Sequence, residues 1–119
     1  MGITLDLFHN ETEGQSFPAG HTIFSKGDPG DAMYVVLEGE VELRINGSVN
    51  EILRAGEPFG EMALIDGSPR IATVIAKTPC KLIAISEKRF LFMVQQTPHF
   101  ALQMLRVISE RLRRMDMRH

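Results

Sequence analysis

Between Phe17 and Ile85 the apolar residues come in short bursts, each closed within a few positions by Gly, Pro, Asn or Asp. Short strands at regular spacing with Gly-rich turns point to an antiparallel sandwich or jelly roll. Thr22-Ile23-Phe24 is a short strand, and Gly27-Asp28-Pro29-Gly30-Asp31 is a strong turn. Met33 to Leu37 is a continuous β-favouring run that reads as a buried strand. Val41, Leu43 and Ile45 alternate with Glu40, Glu42 and Arg44, so this strand has one wet face. Asn46-Gly47 then offers the positive-φ turn of a hairpin. Val49, Ile52 and Leu53 lead to a turn at Ala55-Gly56-Glu57-Pro58, and Ala72–Ala76 and Lys81–Ile85 are two further strands. Residues before Phe17 are polar and weakly patterned, with a short helix expected around Leu5–Phe8 and then a loop.

The last third switches to helical period. Ser86 is placed to cap a short helix carrying Phe90, Leu91, Met93 and Val94. Thr97-Pro98 reads as an N-cap followed by Pro at the first helical position, where its missing N–H costs nothing. Ala101, Met104, Leu105, Ile108, Leu112 and Met115 then form one apolar stripe. That stripe serves either packing on the roll, or dimerisation and lid closure. The fold class expected is mainly β: an antiparallel, jelly-roll-like β-roll of about eight strands closed by a short helix and a longer C-terminal one. Residues 1–16 form an N-terminal segment, 17–96 the roll with its first closing helix, and 97–119 the lid or dimer helix.

Charge is split along the chain. Residues 1–96 hold 8 basic and 13 acidic side chains, whereas 97–119 hold five arginines against Glu110 and Asp116. The total, 13 basic against 15 acidic, gives no global pull toward nucleic acid or anionic lipid. A length of 119 residues fits one domain. Cys80 is the only cysteine, so neither an internal disulfide nor a cysteine metal cluster is available. With a single thiol, no apolar run of membrane-spanning length and no secretory leader pattern, a cytoplasmic location is expected.

The stretch from Phe59 to Val74 carries the chemistry. Gly60 lets the backbone approach a ligand, and one helical turn over Glu61 to Ile65 would face an anion with unpaired N–H groups. Gly67-Ser68-Pro69 reverses the chain and delivers Arg70, whose planar fork suits a phosphate. Glu61 is an acceptor for a hydroxyl beside it. The plainer alternative is that Arg70 and Glu61 pair across the turn.

Gly60-Glu61-Met62-Ala63-Leu64 through Arg70-Ile71-Ala72-Thr73 resembles the phosphate-binding cassette of the cyclic nucleotide-binding domain family, which includes kinase regulatory subunits, gated channels and bacterial activators. Phe17-Pro18-Ala19-Gly20 with Ile23-Phe24, and the loop and strand from Gly27 to Gly39, resemble other parts of that domain. The resemblance implies that Arg70 pairs with a cyclic phosphate and that amides near Ala63 and Ala72 assist. Glu61 would accept from the ribose 2′-hydroxyl, with Gly60 backing the sugar. Phe59, Met62, Ile71 and Ala72 complete the expected ligand set, and Val35, Val49 and Thr73 are further candidates. Arg113 and Arg114 either cap the base or form a solvated face. Members selective for cyclic GMP tend to carry Thr after the cassette arginine; Ile71 has no hydroxyl, which implies cyclic AMP in preference. In the activator branch the end of the helix bears base-contacting hydroxyls, but here it reads Arg114-Met115-Asp116. The implied action is switching: the ligand moves the C-terminal helix, which signals to an unknown protein effector in cis or in trans, with a homodimer through 97–119 as one arrangement. A docking module of the same fold without a ligand is the rival.

Other functions find little support in the residues. A metal cupin needs a close His-x-His pair, but His9, His21, His99 and His119 are far apart. Cys80 has no implied His neighbour for nucleophilic catalysis, so no enzyme, metal or cofactor is expected. The helix-turn-helix of the activator branch would follow the long helix, but the chain stops at His119. A receiver without its own output and without direct nucleic-acid or membrane contact is expected.

Overall fold

The computed structural model describes residues 14–117. The helix expected around Leu5–Phe8 lies outside them. Eight strands and three helices follow in the order β1 (Gln15–Phe17), β2 (Thr22–Phe24), β3 (Ala32–Glu38), β4 (Val41–Ile45), β5 (Ser48–Leu53), β6 (Pro58–Phe59), α1 (Met62–Asp66), β7 (Thr73–Ala76), β8 (Cys80–Ser86), α2 (Glu87–Gln96) and α3 (His99–Met117). Two antiparallel four-stranded sheets result, ordered β1-β8-β3-β6 and β2-β7-β4-β5. β1 and β6 are additions to the sequence reading. β1 starts in the segment read as a loop, and Pro58, read as a turn residue, pairs with Val35. Among the described residues no helix is long and apolar enough to cross a membrane.

The unbroken apolar run of β3 is explained by two cores, one on each of its faces. Val36 packs between the sheets with Val41, Leu53, Phe59, Val74 and Leu82, joined by the partly buried Tyr34. Met33 and Val35 face the other way and meet Ile83, Ile85, Phe100 and Met104 under the helices. A strand covered on both faces has no wet side to record as alternation. β4 and β5 do have one. Ile45 pairs with Ser48 across a two-residue turn in which Asn46 has φ 55° and Gly47 φ 83°, the expected hairpin.

α2 begins at its expected cap, where Ser86 Oγ accepts from Arg89 N at 3.2 Å. α3 begins at His99, one residue past the expected Pro98; Thr97 closes α2 by donating its N–H to Met93 O at 2.8 Å, and its carbonyl accepts from Phe100 N at 2.9 Å. The buried face of α3 shares Met104 with the expected stripe but is otherwise displaced from it. Phe100, Met104 and Val107 are buried, whereas Leu105 and Leu112 are 62% and 57% exposed. At 100° per residue the packed line lies roughly 100° around the helix from the Ala101-Leu105-Leu112 line.

Candidate functional site

A cavity of about 300 Å³ lies between the β2-β7-β4-β5 sheet, the turn from β6 into α1, and the distal half of α3. The approach to it is anchored by Phe59. That ring stacks on Tyr34 at 5.4 Å and lies 5.9 Å from Phe24, fully buried between the sheets. Phe59 is thus an anchor for the cassette and does not line the cavity. The next residue, Gly60, has φ +78°, a conformation that costs glycine little, and turns the chain toward α1.

Arg70 enters from the other side of the cassette. Its residue is 7% exposed, and its guanidinium sits 4.0 Å from the centre of the Phe24 ring. Nη2 donates to Ala32 O at 2.7 Å and Nη1 to Gly60 O at 3.1 Å. Two glycines make room for it. A Cβ on Gly30 would stand 2.5 Å from Arg70 Cζ, and one on Gly60 would stand 2.8 Å from Nη1. Burial pushes the Arg70 guanidinium below its ordinary pKa, while Tyr34, Asp31 and Asp28 pull it back up. Arginine stays charged regardless. The result is a mostly buried cation held by carbonyl oxygens and a ring face, which an anion would stabilise.

Glu61 does not pair with Arg70. Its Oε1 accepts from Nη1 of Arg111 on α3, and Nη2 of the same guanidinium donates to Pro58 O. Three residues on, Arg114 Nη1 lies 2.8 Å from Glu51 Oε2 on β5. Both arginines therefore reach from α3 across the cavity to carboxylates on the roll. Among the described residues, the buried side-chain polar atoms without a directed hydrogen bond are Glu51 Oε2 and the Nε atoms of Arg70, Arg111 and Arg114. All four residues line this one cavity. Its floor is apolar, with Leu43, Ile45 and Val74.

Of the residues singled out from the sequence, Gly60, Glu61, Met62, Ala63, Arg70, Ile71, Ala72 and Arg114 are brought together around the cavity. Ile71 sits at its mouth, 59% exposed. Four candidates besides Phe59 fall elsewhere. Val35 is core beneath the helices, and Arg113 is exposed and off the cavity lining. Thr73 Oγ1 accepts from Lys26 N at 3.0 Å, which ties β7 to the β2–β3 loop. Val49 is 50% exposed because Leu43 pairs with Glu51 but Arg44 pairs with Val49. Asn50 is the extra residue of that bulge, and it reverses the alternation. Val49 is turned out, while Asn50 and Glu51 line the cavity. Strict period-2 reading cannot see this. Arg111 was missed for a related reason: charge alone does not say which cation of a basic helix points inward.

A buried cation at one end, a carboxylate in the middle and an apolar floor together suit a ligand with a phosphate, hydroxyls and a flat ring. The fold and this cassette define a class of ligand-binding β-roll. The cyclic nucleotide-binding domain family model matches residues 14–97, and the chain belongs to that family. It is 31% identical over 103 residues to a CRP-like cAMP-activated global transcriptional regulator of Mycobacterium tuberculosis, covering 82% of this chain and 46% of that protein. It is 41% identical over 76 residues to a cAMP-dependent protein kinase regulatory subunit of Aspergillus niger, covering 62% of this chain and 18% of that one. The chain thus spans less than half the length of these curated relatives. Among solved structures, the Thermus thermophilus catabolite activator protein superposes with a TM-score of 0.80 at 30% identity, over 94% of this chain and 60% of that one. The EAL enzyme Bd1971, solved with cAMP and with cGMP, gives TM-scores of 0.66 and 0.67 at 32% identity, over 88% of this chain and 29% of that one.

Proposed function

We propose that this domain is a sensor that binds cyclic AMP in preference to cyclic GMP and acts by switching rather than turnover. The observation that carries this reading is the cavity itself, where Arg70, Glu61 and the apolar floor match phosphate, sugar and base in turn. Arg70 offers its mostly buried charge to the cyclic phosphate. Ala63 and Ala72 stand on the cavity wall where their amides were expected to assist. Arg111 holds Glu61 by one carboxylate oxygen, which leaves the other for the ribose 2′-hydroxyl. Ile71 adds no hydroxyl for a guanine amino group, which supports the adenine nucleotide. The occurrence of both nucleotides in solved relatives fits a roll that admits either, with preference set by local side chains.

The same contacts give the ligand a route to α3. Arg111 and Arg114 tie the distal helix to Glu61 and Glu51, so a ligand that engages these carboxylates alters the helix position. It can do so only by its differential affinity for the two positions. The exposed Leu105 and Leu112 line then offers a second copy or an effector a surface that registers the shift.

Calorimetric titration with cyclic AMP, cyclic GMP and 5′-AMP tests the reading. Cyclic AMP should bind most tightly and 5′-AMP least. Absence of binding at millimolar cyclic AMP would leave the docking module as the better account.

A further inference from the structure

Resting on the cyclic nucleotide reading, we infer that Glu51 is the residue that recognises the base, by accepting a hydrogen bond from the exocyclic amino group of an aminopurine, and that Arg114 positions it from α3. Register places Glu51 there. Val74 pairs with Leu43, and Leu43 pairs with Glu51, so the three form one row across β7, β4 and β5. Two strand spacings carry that row roughly 10 Å from the β7 end, which Arg70 precedes. A nucleoside cyclic phosphate has its phosphate at one end and its base at the other. With the phosphate on Arg70 and the sugar on Glu61, the base lies over Leu43 and Ile45 and reaches Glu51.

Three observations set Glu51 apart from a surface acid. Its side chain is only 12% exposed, and it stands on the cavity lining beside the Asn50 bulge, a device that aims side chains into sites. Its Oε2 is held in the ion pair with Arg114 Nη1 at 2.8 Å without a directed hydrogen bond, and a carboxylate has lone pairs for more than one donor. Arg114 also lies 3.9 Å from Glu110, which steadies its guanidinium between two carboxylates. An ionised carboxylate accepts and never donates, so it rewards an amino group on the base and rejects an exocyclic carbonyl oxygen presented at the same point. Arg114 works through Glu51 and is a positioning residue.

The test compares cyclic AMP with purine riboside 3′,5′-cyclic monophosphate, in which hydrogen replaces the amino group. The wild-type chain should bind cyclic AMP roughly ten- to a hundredfold more tightly, the range of a hydrogen bond to a charged group. Glu51→Met should bring that ratio close to one. Glu51→Gln, which keeps a weaker acceptor, should give an intermediate ratio. Arg114→Met should lower the ratio as well, by a smaller factor than Glu51→Met, because the acceptor remains but loses the contact that orients it. Equal wild-type affinity for the two nucleotides would overturn the inference and leave the cyclic nucleotide reading standing. So would a Glu51→Met variant that weakens both equally. A wild-type chain that binds neither would overturn the underlying reading as well.

Discussion

The two halves of α3 are held by different physics. The proximal half is fastened by apolar burial: Phe100 is fully buried, with Phe90 edge-on at 5.2 Å, and Met104 and Val107 follow on the same face. The distal half carries Ile108 and Leu112 at the cavity rim, but its bonds to the roll are ion pairs, Arg111 to Glu61 and Arg114 to Glu51. Apolar burial is indifferent to whether a ligand is bound, whereas a carboxylate can be shared with one. In the switching proposed above, the start of this helix is the fixed hinge and its distal end the adjustable latch.

Substitutions in the two halves should separate these roles. Phe100→Ala, which empties the centre of the helix-side core, should cost about 3–5 kcal/mol of stability in urea denaturation. Arg111→Met should cost less, about 1–3 kcal/mol, because it leaves a Glu61 side chain that is 10% exposed without its partner. It should also weaken cyclic AMP binding, since Glu61 loses the contact that orients it. Arg114→Met should cost somewhat less again, about 0.5–2 kcal/mol, because Arg114 is 32% exposed while the Glu51 it leaves behind is only 12% exposed. If Arg111→Met and Phe100→Ala proved equally damaging to the fold, the division between hinge and latch would be wrong.

Much of this was readable from residues. The alternation of Val41, Leu43 and Ile45 and the Asn46-Gly47 turn defined β4 and its hairpin, because each rests on local backbone chemistry. The Gly60-Glu61 and Arg70 spacing placed the cassette, since a tight turn and a buried cation leave few residue choices. What escaped depends on tertiary context. β6 has two residues, one of them Pro58, and forms because Phe59 is drawn between the sheets. The Asn50 bulge appears only when β5 is paired with β4, so strict alternation along β5 points to Val49 as a ligand-set candidate in place of Asn50 and Glu51. On α3 two lines were open for burial, and the roll chose the one led by Phe100. Arg111 followed from that choice.

The central claim is that the cavity binds a cyclic nucleotide through the buried charge of Arg70. Calorimetric titration of cyclic AMP into wild type and Arg70→Ala, with thermal unfolding of both chains recorded alongside, addresses it directly. The account predicts that Arg70→Ala stays folded and loses roughly 2–5 kcal/mol of binding free energy. A folded Arg70→Ala chain that binds cyclic AMP as tightly as wild type would contradict it.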